Sequence, residues 1–163
     1  MIHYGNILLN GGDKVIAGIG TDIIEIERID RAVKRTNNFI DKVFTEKEKE
    51  YFKTKNYRPE VLAGNFAAKE AVSKALGTGF REFGLLDIEV LRDSKGKPIV
   101  SLSDKIHKLL SINKFIIHIS ISHSRDNAIA YAVMEVLGWL TFYQQISVRK
   151  WIGELLLRLV YRE

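Results

Sequence analysis

Two carboxylates, one ammonium and one imidazole in this chain are of types that could share a task. Glu70 and Lys74 stand in the stretch Phe66-Ala67-Ala68-Lys69-Glu70-Ala71-Val72-Ser73-Lys74-Ala75-Leu76-Gly77-Thr78-Gly79. Phe66, Glu70 and Lys74 fall at i, i+4 and i+8, hence on one side of a helix. Taken alone, a Glu–Lys pair at this spacing most often supports its own helix, by roughly a few tenths of a kcal/mol. A second carboxylate shifts that reading: the sequence places Asp22 where a strand ends and a helix begins. His123 closes another strand. Two carboxylates are a poor complete cage for a metal ion. Magnesium does not need one, since it keeps waters and takes further ligands from substrate phosphates. A lysine beside it would neutralise a phosphoryl oxygen, and a histidine could donate to a phosphate or move a proton. These residue types suit phosphoryl chemistry on a diphosphate. Spacing alone does not bring the four together, and a strand-end histidine is usually no more than that.

The elements that must position them read as follows. Residues 15–19 form a buried strand whose end Gly18 and Gly20 keep narrow. A helix over about 24–35 carries Ile26, Ile29 and Val33 on its apolar stripe, with Arg28, Arg31 and Arg35 gathered opposite. Residues 37–43 connect, anchored by Phe39, Ile40 and Val43. Thr45-x-x-Glu48 is a capping box that opens a charged helix to about residue 55. The central helix spans 59–76, with Pro59 at its start and Gly77 as its C-terminal cap. Strands are predicted over 85–92 and 99–102, joined by the turn Asp93-Ser94-Lys95-Gly96-Lys97-Pro98. Ser103 caps a short helix over 104–110. Residues 115–122 alternate, with Ile117, Ile119 and Ile121 facing one way and His118, Ser120 and Ser122 the other. Residues 128–136 complete a hairpin. Strands separated by short segments imply an α+β domain, a largely antiparallel sheet packed against helices.

Composition bounds the rest. The chain has 163 residues, 46% hydrophobic and 28% charged, enough for one well-buried core and short for two. With no cysteine, disulfides and thiolate metal sites are excluded, any metal must sit on oxygen or imidazole ligands, and a cytoplasmic setting is expected. No secretory signal is expected in residues 1–14, and no membrane span anywhere. The 25 Lys and Arg against 20 Asp and Glu give +5, compatible with nucleic acid, anionic lipid, an acidic protein or a phosphorylated small molecule, and charge alone does not choose among them. Nucleic acid is not expected, because basic residues interleaved with aromatics, or a reader motif, are missing. Residues 138–163 differ in character. Val148, Trp151, Ile152, Leu155, Leu156, Leu159 and Val160 make an amphipathic helix suited to packing on its own domain or a neighbouring subunit, with a membrane-surface role, favoured by Trp139, Trp151 and the arginines, as the lesser reading.

Gly20-Thr21-Asp22 with Glu25 to Arg28, followed by the Phe66-x-x-Lys69-Glu70-Ala71-x-x-Lys74 helix, resembles the paired signature of the 4′-phosphopantetheinyl transferases. The Ala-Leu-Gly-Thr-Gly after that helix, Gly96-Lys97-Pro98 and Ile119-Ser120-Ile121-Ser122-His123-Ser124 are similar to the family's short single-domain class. The resemblance covers about residues 15–135. It implies transfer of the phosphopantetheine arm of coenzyme A to a serine of apo-acyl carrier protein, releasing 3′,5′-ADP, in support of fatty acid biosynthesis. It further implies that Asp22 and Glu70 hold Mg2+, that Lys74 contacts phosphate, and that His123 and the Gly96-Lys97-Pro98 turn lie against the coenzyme. Arg28, Arg31 and Arg35 would meet the acidic helix of the carrier. Members of the short class form homotrimers with active sites at the subunit junctions. For the serine's proton, Glu70 or a water on the metal ion is the candidate base, and His123 the alternative. On this reading residues 15–137 are the transferase domain, with 1–14 and 138–163 as terminal extensions.

Overall fold

The computed structural model describes residues 14–110 and 115–137. The N-terminal extension, apart from Lys14, and the amphipathic helix read over 138–163 lie outside these residues.

The longest strand, β1 (Lys14–Glu25), pairs antiparallel with β5 (Asn127–Leu137), which pairs in turn with β4 (Phe115–His123), giving the order β1-β5-β4. Between β1 and β4 lie α1 (Ile26–Arg35), α2 (Phe39–Val43), α3 (Glu46–Thr54), α4 (Pro59–Ala75), the hairpin β2 (Ile88–Arg92) and β3 (Pro98–Leu102), and α5 (Asp104–Leu110). The α+β class and the antiparallel pairing are those the pattern predicts. Thr45 and Glu48 make both halves of the expected capping box, through Glu48 N to Thr45 Oγ1 at 3.3 Å and Thr45 N to Glu48 Oε2 at 2.8 Å.

Several boundaries move. The ladder of β1 with β5 continues through Asp22↔Ala130 to Glu25↔Asn127, so the strand does not stop before Asp22. Asp22 is an interior strand residue, and α1 begins only at Ile26, whose N–H donates to Asp126 O at 2.8 Å. Part of the 37–43 connector is helical, as α2. Residues 85–87 form a turn of 3-10 helix ahead of β2.

The two glycines of β1 have a different cause from the one the sequence suggested. A Cβ added at Gly18 would lie 1.9 Å from Ala75 O, and one at Gly20 would lie 2.0 Å from Ala71 O. Both therefore allow the backbone of α4 to lie directly on the strand. Small residues repeat across the rest of that contact: Ala67, Ala68, Ala71 and Ala75 of α4 are buried, as are Ala128, Ala130 and Ala132 of β5. Ile117, Ile119 and Ile121 of β4 extend the same inner face. Among the described residues nothing covers the outer face, where Ile16 is 61%, Ile19 55% and Ile23 65% exposed on β1, flanked by Ile129 and Tyr131 on β5.

Candidate active site

Alternation along β1 puts Gly20, Asp22 and Ile24 on the side that faces α4. Because Gly20 lets the helix down onto the strand, Lys74 reaches across. Its ammonium donates to Asp22 Oδ1 at 2.9 Å and to Thr21 O at 2.8 Å. Lys74 is thus tied to the strand, and no hydrogen bond or ion pair joins it to Glu70. The simple i, i+4 helix pair is not what this spacing produces.

Glu70, one turn earlier, is half-buried. Among the described residues its carboxylate has no hydrogen-bonded or ion-paired partner. Burial pushes its pKa up, the Asp22 charge pushes the same way, and Lys74 opposes both. Two acids from distant parts of the chain therefore sense each other across the α4–β1 contact. Such a pair is an electrostatic liability without a cation. Their oxygen donors suit a hard divalent ion that keeps most of its ligands as water and phosphate. Among the described residues no three His, Asp or Glu side chains gather into a metal cage.

Asp22 and Glu70 border a cavity of about 360 Å³ that also takes in Arg28, with an apolar wall from Ile29, Ala32, Phe39 and Phe66. Of the three arginines of α1, only Arg28 borders it. Arg31 lies 3.9 Å from Glu27 on its own helix, so the basic face does contain an acid, and Arg35 is exposed in the last turn.

His123 is elsewhere. With Gly96 and Pro98 it borders a second cavity of about 350 Å³, which shares no residue with the first. Within one chain the four chemical residues of the sequence reading thus divide three to one. Lys97 is exposed, its N–H donating to Asp93 Oδ1 at 2.9 Å within the turn. The second cavity adds basic residues that the sequence reading passed over: Lys55, Arg58 and Arg92. A Lys-x-x-Arg pair ahead of Pro59 was visible, but nothing in it showed that β2 would deliver Arg92 to the same place.

Comparison with known proteins bears on this arrangement. The family model described as the 4′-phosphopantetheinyl transferase superfamily matches residues 18–132. The chain belongs to that superfamily. Within it, the chain is 66% identical over 123 residues to the holo-[acyl-carrier-protein] synthase of Clostridium beijerinckii, covering 76% of this chain and 100% of that one. It is 54% identical to that of Clostridium tetani, covering 74% and 97%. Among solved structures, the holo-(acyl-carrier-protein) synthase of Bacillus anthracis in complex with CoA (3′,5′-ADP) matches with a TM-score of 0.63 at 43% identity, covering 74% of this chain and 97% of that one. The Helicobacter pylori synthase in complex with coenzyme A matches with a TM-score of 0.64 at 36% identity, covering 71% and 98%.

Proposed function

We propose that the chain acts as a holo-[acyl-carrier-protein] synthase, moving the 4′-phosphopantetheine arm of coenzyme A to a serine of apo-acyl carrier protein. The observation that carries this reading is the meeting of Asp22, Glu70 and Lys74 across the α4–β1 contact in a chain of this superfamily. The serine Oγ attacks the phosphorus that bears the pantetheine. The bond from that phosphorus to the bridging oxygen breaks, 3′,5′-ADP leaves, and the serine proton passes to a base. Asp22 and Glu70 would hold Mg2+, which when bound polarises the pyrophosphate and neutralises the departing nucleotide.

The chain's own groups do the rest. Lys74, fixed by Thr21 O and Asp22, holds its charge where a phosphoryl oxygen can meet it. Glu70 borders the cavity beside Asp22 and is a candidate to accept the serine proton, as is a water beside the metal ion. Arg28 borders the same cavity as both carboxylates, which favours an acidic carrier surface presenting its serine there. Arg31 and Arg35 extend that basic face.

Gly96, Pro98 and His123 fit a coenzyme subsite, as does Lys97 in the same turn. Their separation from Asp22 in one chain is explained if neighbouring subunits complete each site, and the sheet face that no other described residue covers suits a homotrimer contact. Sedimentation analysis of the pure chain checks that assembly; a monomer at working concentration overturns it. A cytoplasmic role in fatty acid biosynthesis follows from the activity. Among the described residues no helix is long and apolar enough to cross a membrane.

The test is a mass-shift assay with apo-carrier protein, coenzyme A and Mg2+. The carrier gains the phosphopantetheine mass with the wild type. Asp22→Asn and Glu70→Gln each slow this by about 10²-fold or more, as loss of a charge-stabilising group does. Unchanged turnover in both variants defeats the assignment.

A further inference from the structure

The exposed arc of α1 carries its charges in two opposed groups. At about 100° per residue, Arg28 and Arg35 fall on the flank toward Asp22 and Glu70, Glu27 and Asp30 fall on the other, and Arg31 stands on the crest between. Across that crest Glu27 Oε1 lies 3.9 Å from Arg31 Nε. Lys34 sits on the acidic flank, its ammonium donating to Asp30 Oδ2 at 2.5 Å. Arg28 and Arg35 form no ion pair among the described residues. The helix therefore has a cationic side and an anionic side, and the boundary runs through Arg31.

A cleft lies on each side. On the cationic side is the cavity of about 360 Å³ that Asp22, Glu70 and Arg28 border. On the other is a larger one of about 470 Å³, bordered by Glu25, Glu27, Asp30 and Asp126, with Arg125 as its one bordering cation. Neither Asp22, Glu70 nor Lys74 borders this second cleft, so nothing in it can assist phosphoryl transfer. A partner that docks along α1 meets both. Size does not favour the productive side. Charge does: Lys34 offsets part of the acidic flank, but four carboxylates still face one guanidinium in the empty cleft, which repels an acidic surface that Arg28 and Arg35 attract.

We propose that Glu27 and Asp30 are specificity-determining residues that turn an acidic carrier away from the larger, chemically empty cleft and onto the flank leading to Asp22 and Glu70. This rests on the function proposed above. Choosing between two poses of one partner is a difference of affinities, and repulsion built into the wrong pose widens it as effectively as attraction added to the right one. Exposed ion pairs within a helix add little to stability, so the two acids can be exchanged without losing the fold.

Transfer kinetics and direct binding of apo-carrier protein, taken together, test the assignment. In the double variant Glu27→Lys, Asp30→Lys the empty cleft becomes attractive, and the carrier binds there without reacting. Such nonproductive binding lowers kcat and the carrier KM by the same factor, here about fivefold, and leaves their ratio within about twofold of wild type. The carrier Kd falls along with KM, while KM for coenzyme A stays within about twofold. The neutral variant Glu27→Gln, Asp30→Asn moves kcat and carrier KM the same way by about twofold, because it removes the repulsion without adding attraction. Circular dichroism reports the fold of each. A lower carrier KM with unchanged kcat overturns the proposal, since the flank would then only tune long-range attraction. Wild-type values of both constants overturn it as well, as does weaker carrier binding. Should the lysine variant fail to fold, the neutral variant decides by the same parallel fall. A wild-type chain that modifies no carrier would instead sink the functional reading on which the proposal stands.

Discussion

Two lysines of α4, five residues apart, each pair with a carboxylate from elsewhere in the chain, yet their surroundings make them opposites. Lys69 is wholly buried. Its ammonium donates to Glu48 at 2.7 Å, to Val43 O at 2.8 Å and to Leu85 O at 2.9 Å, and lies 5.3 Å from the Phe44 ring centroid. Glu48 is equally buried and equally satisfied, accepting also from Thr45 N and from Val90 N. Every donor and acceptor is used, and the cluster ties α2, α3, α4 and the start of the β2 hairpin into one block. Lys74 is 49% exposed on its side chain, and its partner Asp22 lies beside a cavity next to Glu70, which has no hydrogen-bonded or ion-paired partner among the described residues. The first pair is complete within the chain. The second leaves charge unspent at a surface where a ligand can arrive. Burial with full satisfaction makes a staple, and partial burial with something missing makes a working site.

That contrast can be broken first at the staple. Lys69→Met leaves the Glu48 carboxylate buried without its cation and two carbonyls without a donor. A loss of about 3–5 kcal/mol is expected in urea unfolding. The double variant Lys69→Met, Glu48→Leu removes both charges and should regain much of that loss. If the single variant costs less than the Lys74→Met change, the contrast fails.

The next test lies between the two clusters. Gly20→Ala puts a methyl group 2.0 Å from Ala71 O, so α4 must lift from β1. Overpacking costs about 1–3 kcal/mol, while kcat for carrier modification falls by up to about 10²-fold because Glu70 and Lys74 lose their register with Asp22. Thermal unfolding and the mass-shift assay read the two effects separately. Wild-type activity in a folded Gly20→Ala protein would show that the close contact has no part in the site.

The smallest effect is expected at the working site itself. Glu70 is a half-buried acid beside another acid. In metal-free buffer at neutral pH, Glu70→Gln should therefore raise stability slightly, by a few tenths of a kcal/mol or about 1–2 °C in Tm, while activity is lost. Adding Mg2+ should raise the wild-type Tm and leave that of the variant nearly unmoved. A variant less stable than the metal-free wild type would argue that Glu70 serves the fold.

Much of this molecule could be read before it was seen. The capping box at Thr45, the alternation of Ile117, Ile119 and Ile121, and the Pro59-to-Gly77 helix are local patterns, carried by residues that touch their own neighbours in sequence. Their outcomes follow from local geometry, and the elements formed where expected to within a few residues. The end of β1 was misread because Gly18 and Gly20 look like strand terminators, while their cause is a helix more than fifty residues away. Glu48 was seen only as a cap, since its second role depends on Lys69 arriving from α4.

By itself, then, the sequence determined the kinds of element, their order, the family signature and the acids and bases available for chemistry. Tertiary structure alone decided who meets whom: that Lys74 binds Asp22 instead of Glu70, that Glu70 forms no hydrogen bond or ion pair among the described residues, and that His123 joins Arg92 in a cavity apart. The physical reason is range. Periodicity and capping act over a turn or two of chain, whereas burial and charge pairing depend on distances that exist only once α4 has settled onto two glycines of β1.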